Sequence, residues 1–204
     1  KEWVPRSIQP WLYVLTALCF QFSGGVYLGA LDGIRGTTNF MIEDVLFLLY
    51  ATLAGMAVYF PMLFRMKFRF TNQQLLCCSA IVLGICNVLT MYCQSMPILT
   101  VVCFIAGMAK IQGTFECMSN IQLWITPRRD FAVFFPVLHI ILLTAIEGSG
   151  WLAAWFGHHF TWQMMHVFTI GTMLFVLLTQ TVFCRPFCPM PQRLSLKGID
   201  RKSV

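Results

Sequence analysis

Along most of this chain the apolar residues neither alternate nor recur at helical spacing; they run on without a break. Six apolar stretches of roughly 18 to 25 residues stand out, the length an α-helix needs to cross about 30 Å of hydrocarbon. They lie at approximately 11–31, 45–64, 74–93, 97–119, 131–156 and 161–184. Periodicity adds little, because a membrane helix is apolar nearly all round. The boundary between the first two is soft, since SGGVYLGALDGIRGTTNF carries the glycines. An outer-membrane barrel would show alternating segments of about ten residues instead. The first stretch is too long for a signal peptide, and no small-residue cleavage site follows it, so it reads as a retained helix. The expectation is an all-α membrane protein: a six-helix bundle over residues 1–185, then a cytoplasmic tail or linker over 186–204.

Composition agrees. The chain is 58% hydrophobic and 11% charged, with a mean hydropathy of +0.72. A soluble domain of this length could not hide that much apolar surface. Nine cysteines would suggest disulfides in a small secreted protein, but Cys19, Cys77, Cys78, Cys86, Cys103 and Cys117 fall inside the spans. There cysteine acts as a small apolar filler. Cys184 and Cys188, in FCRPFCPM, are spaced C-x-x-x-C rather than the C-x-x-C of redox and zinc motifs. No metal or cofactor is expected.

Lysine and arginine placement sets the orientation. Of fourteen such residues, twelve fall on one side of the predicted bundle, among them Arg65, Lys67, Arg69, Arg128 and Arg129. Arg35 alone lies on the other side, and Lys110 lies within the fourth span. The connections MYCQSMP and GHHFTW carry neither residue. Both termini are therefore expected in the cytoplasm. The net charge of +6 belongs to this asymmetry and points to no nucleic-acid partner.

Candidate chemistry comes from polar groups inside the spans. KIQGTFECMSN, residues 110–120, continues the apolar run SMPILTVVCFIAGMA. Gln112, Glu116 and Asn120 follow at i, i+4 and i+8, so they form one stripe. Gly107 and Gly113 allow a neighbouring helix to approach closely. Lys110 lies six residues before Glu116, about 9 Å along the axis and about 120° around it, so the two are poorly placed to pair. Each needs a partner on another helix, a wet cavity, or a route to the surface. In the fifth span, HIILLTAIEGSGWLAAW holds His139 and a deeper Glu147, followed by Gly148 and Gly150. In the first, Gln21 and Asp32 share a face, eleven residues apart. The default reading of ionisable groups at such depth is a substrate or proton pathway. Structural alternatives stand beside it. Asp32 could cap its helix or pair with Arg35, Glu116 could pair with Arg128 or Arg129, and Lys110 could reach the interface. Glu147 could be a hydrogen-bonded helix contact. His139 and His166 could be packing or hydrogen-bonding residues, and His158 and His159 solvated ones.

A shift of 84 residues aligns Cys19-Phe20 with Cys103-Phe104, Gly29 with Gly113, and Asp32 with Glu116, the pattern C-F-x8-G-x2-acid. Two three-helix units of this kind would run inverted with respect to each other, the architecture of secondary transporters with a site at the repeat interface.

On these residues the chain resembles half of a major facilitator superfamily transporter. FPMLFRMKFRF holds the place of the superfamily's basic loop motif, keeping Arg65, Lys67 and Arg69 but lacking its glycine and aspartate. Gln112-Gly113 is similar to the end of the fourth-span R-x-x-q-G, with Ala109 at the arginine position and Lys110 one place later. EGSGWLAAWFG is a loose, proline-free match to the glycine-rich fifth-span motif of drug antiporters. FTWQMMHVFTIG and LKGID resemble the sixth-span entry and following segment of the fourteen-helix drug–proton antiporters. GTFECMSNIQLWITPRRD looks like Bacteroidetes-type transporters classed with multidrug efflux pumps.

The resemblance implies the amino-terminal bundle of a longer protein in a bacterial inner membrane. The chain starts with Lys1 and stops where another span would begin. It implies a second bundle, a small-molecule substrate, protons and a periplasmic adaptor protein as partners. Efflux of amphiphilic molecules would proceed by alternating access. Glu147, or in second place Glu116, would exchange the coupling proton as its surroundings dry and wet. Lys110, Asp32, Gln112, Gln21 and His139 complete the candidate substrate or proton set. Arg65, Lys67, Arg69, Arg128 and Arg129 are the candidate cytoplasmic gating residues. Uptake of a small solute by the same fold and a non-transporting membrane scaffold remain as alternatives. An intramembrane serine enzyme would need G-x-S-G, and the chain has Glu147-Gly148-Ser149-Gly150, so no enzyme is expected.

Overall fold

A computed structural model describes residues 9–24, 29, 31–124 and 128–183. Among them the secondary structure is helical throughout. The helices are α1 (Gln9–Gln21), α2 (Leu31–Thr37), α3 (Ile42–Arg69), α4 (Asn72–Tyr92), α5 (Met96–Trp124), α6 (Arg128–His159) and α7 (Gln163–Leu178). A tight turn of helix, Phe22–Gly24, follows α1, and a wider one, Thr179–Phe183, follows α7. The tail over 186–204, and with it Cys184 and Cys188, lies outside the described residues.

Five of these helices are long and apolar enough to cross a membrane, with spans at Ile42–Leu63, Asn72–Tyr92, Met96–Ile121, Phe135–His159 and Gln163–Thr181. They match the second to sixth expected spans. The first expected span is different: its apolar helix, α1, is short, and the regular helix gives way at Phe22. There the Ser23 hydroxyl donates to the Phe20 carbonyl at 2.8 Å, a local bond that competes with helical pairing.

Local signals set several boundaries. Thr71 caps α4 reciprocally with Gln74: the Gln74 amide donates to Thr71 Oγ1 at 3.3 Å, and the Thr71 amide donates to Gln74 Oε1 at 3.1 Å. The Met41 amide before α3 donates to Asp44 Oδ2 at 2.9 Å. Only Phe70 and Thr71 separate α3 from α4, so Arg65, Lys67 and Arg69 stand on the last turns of a helix rather than in a loop.

Helix α5 is the hub, packed against α1, α3 and α4, while α4 also packs on α7 and α1 on α6. Half of the α5 span is buried, against 28% for the α3 and α6 spans. The α3–α5 crossing is close because glycines face it from both sides. A Cβ on Gly55 would fall onto the Phe104 carbonyl oxygen, and one on Gly107 onto the Thr52 carbonyl oxygen. Gly113 receives the ring of Phe20, and Gly29 lies against the Gly150 carbonyl. Gly148 is open instead: among the described residues a Cβ there would meet nothing within 4 Å. The main core joins Tyr13 and Phe20 of α1, Leu76 and Leu83 of α4, Ile121 of α5 and Met173 of α7. Large apolar side chains also cover the outside, among them Ile85, Val101, Ile140, Leu143 and Leu174. Water would penalise such a surface and hydrocarbon would not. The molecule is accordingly an all-α protein with the helices of an integral membrane protein.

Candidate functional site

A cavity of about 660 Å³ opens between the helices, bordered by α1, α3, α4, α5, α6 and α7. Its apolar wall includes Leu49, Leu53, Met56, Leu83 and Ile111. Its polar wall is built from five helices. Ala106, Lys110 and Thr114 stand at i, i+4 and i+8 on α5, so one helical face delivers all three. Gln21 comes from the end of α1, Asn87 from α4, His166 from α7, and Glu147 with Ser149 from α6.

Two hydrogen-bonded sets organise these groups. Gln21 Nε2 donates to Thr114 Oγ1 at 3.1 Å, and Thr114 Oγ1 donates to the Lys110 carbonyl at 3.0 Å. Lys110 Nζ donates to the Gln21 carbonyl at 3.3 Å. Lys110 is only 8% exposed, and among the described residues no carboxylate lies within ion-pair distance of it. In the second set Asn87 Nδ2 donates to the Leu83 carbonyl at 2.8 Å, which leaves Asn87 Oδ1 as the acceptor for His166 Nδ1, also at 2.8 Å. His166 Nε2 is buried with no hydrogen-bond partner among the described residues.

The candidates from the sequence divide between this cavity and other places. Gln21, Lys110 and Glu147 come together in it. Glu147 is exposed there, whereas the sequence places it deep in its span. Glu116 is not among the cavity residues. It is completely buried on another face of α5, with its Oε1 3.6 Å from Lys67 Nζ, and Lys67 also donates to Ser119 Oγ at 2.8 Å. The expected stripe holds α5 to its neighbours: Gln112 Nε2 donates to the Leu75 carbonyl at 3.2 Å, and Asn120 Oδ1 accepts from Asn72 Nδ2 at 3.1 Å.

Asp32 is exposed and shares an outer groove with Arg35 and Glu43. His139 is exposed on α6, its Nδ1 2.9 Å from the Phe135 carbonyl one turn back. Arg65 and Arg69 are exposed at the end of α3. Arg128 and Arg129 begin α6, and their side chains lie outside the described residues. Sequence reasoning missed Thr114 and Asn87; it read His166 as a packing or hydrogen-bonding residue, and the structure shows it hydrogen-bonded to Asn87 at the cavity. The signal for Thr114 was its place one turn after Lys110; Asn87 was legible only as a lone amide in an apolar run.

No group of three or more His, Cys, Asp or Glu side chains able to hold a metal occurs among the described residues. No protein-family model, no curated protein and no solved structure matches the chain.

Proposed function

We propose that the chain is one bundle of a proton-coupled secondary transporter in a bacterial inner membrane, with both termini in the cytoplasm, exporting amphiphilic small molecules by alternating access. The observation that carries this reading is the convergence of Lys110, Gln21, Asn87, His166 and Glu147 on a single cavity among otherwise apolar helices. Buried polar groups in a membrane helix are costly, and a site between helices is the usual reason they are retained. The resemblance to half of a major facilitator transporter supplies the architecture of the proposal.

The exposed face of α6 supports a second bundle. Glu147 lies there beside exposed Ile146 and Trp151. A carboxylate is costly against lipid, and a facing bundle with water in the space between would shelter it. Packing supports the repeat: α3 on α5 corresponds to α6 on α1, and α4 on α5 to α7 on α1, when the two triplets are exchanged. In this reading Glu147 exchanges the coupling proton in the cavity. Lys67 and Glu116 latch α3 to α5 near the cytoplasmic end.

The test is proton flux in proteoliposomes holding the full-length protein, followed with a trapped pH dye. Adding a panel of amphiphilic compounds should move protons through the wild type and not through Glu147→Gln. The direction of the coupled flux separates export from uptake. Absence of any coupled flux in the wild type would sink the transporter reading and favour a scaffold.

A further inference from the structure

We infer that the cavity is selective for organic anions: its ligand carries a carboxylate, sulfonate or phosphate against Lys110 and an apolar body along Leu49, Leu53, Met56 and Ile111. This deepens the transporter reading and rests on it.

The inference starts from an incomplete set of bonds. A lysine ammonium has three N–H donors and no acceptor. Lys110 places one of them, at 3.3 Å, on the Gln21 carbonyl. That contact is longer than the usual charge-assisted bond of about 2.7 to 2.9 Å. The side chain is 8% exposed, so bulk water does not solvate it freely. Glu147, the carboxylate on the same cavity, is exposed and beyond ion-pair distance of Lys110. The buried carboxylate of α5, Glu116, is committed to Lys67. Among the described residues the cavity therefore holds a buried cation with unfilled donors and no carboxylate within ion-pair distance of it.

His166 adds an independent second point. It is 3% exposed and lines the same cavity. Asn87 Oδ1 can only accept, so His166 Nδ1 carries the hydrogen of that bond. The free Nε2 of the neutral ring is then an acceptor, suited to a hydroxyl or N–H on the ligand. A cationic ligand would meet the buried ammonium and be repelled. An anion would complete it, and a charge-assisted bond contributes about 1.5 to 3 kcal/mol, or at least about tenfold in affinity.

Two probes with the same xanthene body and opposite charge, fluorescein and rhodamine 6G, test this on the full-length protein in nanodiscs by fluorescence anisotropy. Wild type should bind fluorescein saturably and more tightly than rhodamine 6G. Lys110→Met should weaken fluorescein about tenfold or more, while Lys110→Arg retains it. The wild-type comparison needs no variant, so misfolding of Lys110→Met would not protect the inference. Tighter rhodamine binding, equal binding, no saturable fluorescein binding, or indifference of folded Lys110→Met would each overturn the anion assignment. Proteoliposomes separate the two claims. Proton-coupled movement of rhodamine 6G alone would retain the transporter and sink the anion site. Saturable, Lys110-dependent fluorescein binding without any coupled transport would retain the site and sink the transporter.

Discussion

Lys67 Nζ lies 3.6 Å from Glu116 Oε1 across the α3–α5 contact, and the glutamate is fully buried while the lysine keeps 18% of its surface. The asymmetry predicts unequal costs. Lys67→Met leaves a carboxyl buried with no hydrogen-bond donor among the described residues, whereas Glu116→Gln leaves a lysine that can still donate to Ser119 and reach outward. Thermal unfolding in detergent should show Lys67→Met destabilised by about 3 kcal/mol and Glu116→Gln by clearly less. The double variant should recover most of the loss. Equal costs for the two single variants would mean that the pair does not carry the contact.

The reciprocal glycine crossing predicts a sharp size limit. Gly55→Ala and Gly107→Ala each drive a methyl into a carbonyl oxygen of the facing helix, so each should cost on the order of 1–3 kcal/mol by the same measurement. Gly148→Ala is the control, because its Cβ enters open space and alanine favours the helix by about 1 kcal/mol. It should be neutral or stabilising.

Asn72 and Asn120 form an interhelical bond at 3.1 Å between α4 and α5. A double-mutant cycle with alanine at both positions should give a coupling of about 0.6 kcal/mol, the size typical of hydrogen bonds between membrane helices. The Lys67–Glu116 cycle should give a larger value, because a buried charge has no cheap alternative partner. The reverse order would show that the amide pair, not the ion pair, fixes α5.

Orientation is open to labelling. Gln94, exposed between α4 and α5, and Phe70, exposed between α3 and α4, lie at opposite ends of α4. In a variant stripped of its native cysteines, Gln94→Cys should react with a membrane-impermeant maleimide on intact cells. Phe70→Cys should react only after permeabilisation. The opposite pattern would invert the proposed topology.

By itself the sequence determined which segments are apolar enough to leave water, because that depends on composition over about twenty residues and not on neighbours. It also determined the stripe Gln112, Glu116 and Asn120 and the need of Gly107 and Gly113 for close neighbours, since both follow from helix geometry. It showed that Lys110 and Glu116 are poorly placed to pair with each other. The partners were decided only by the tertiary structure. Lys67 meets Glu116 across 49 positions of chain, and Lys110 meets Gln21 across 89. Nothing local encodes which of several apolar helices will pack against α5. Burial followed the same rule. Glu147 read as a deep carboxylate and Glu116 as one near the cytoplasmic end, yet the packing exposes the first beside a cavity and seals the second inside the bundle. Depth along a helix is set by sequence position; whether a side chain faces a neighbour, a cavity or the outside depends on how the helices rotate against one another.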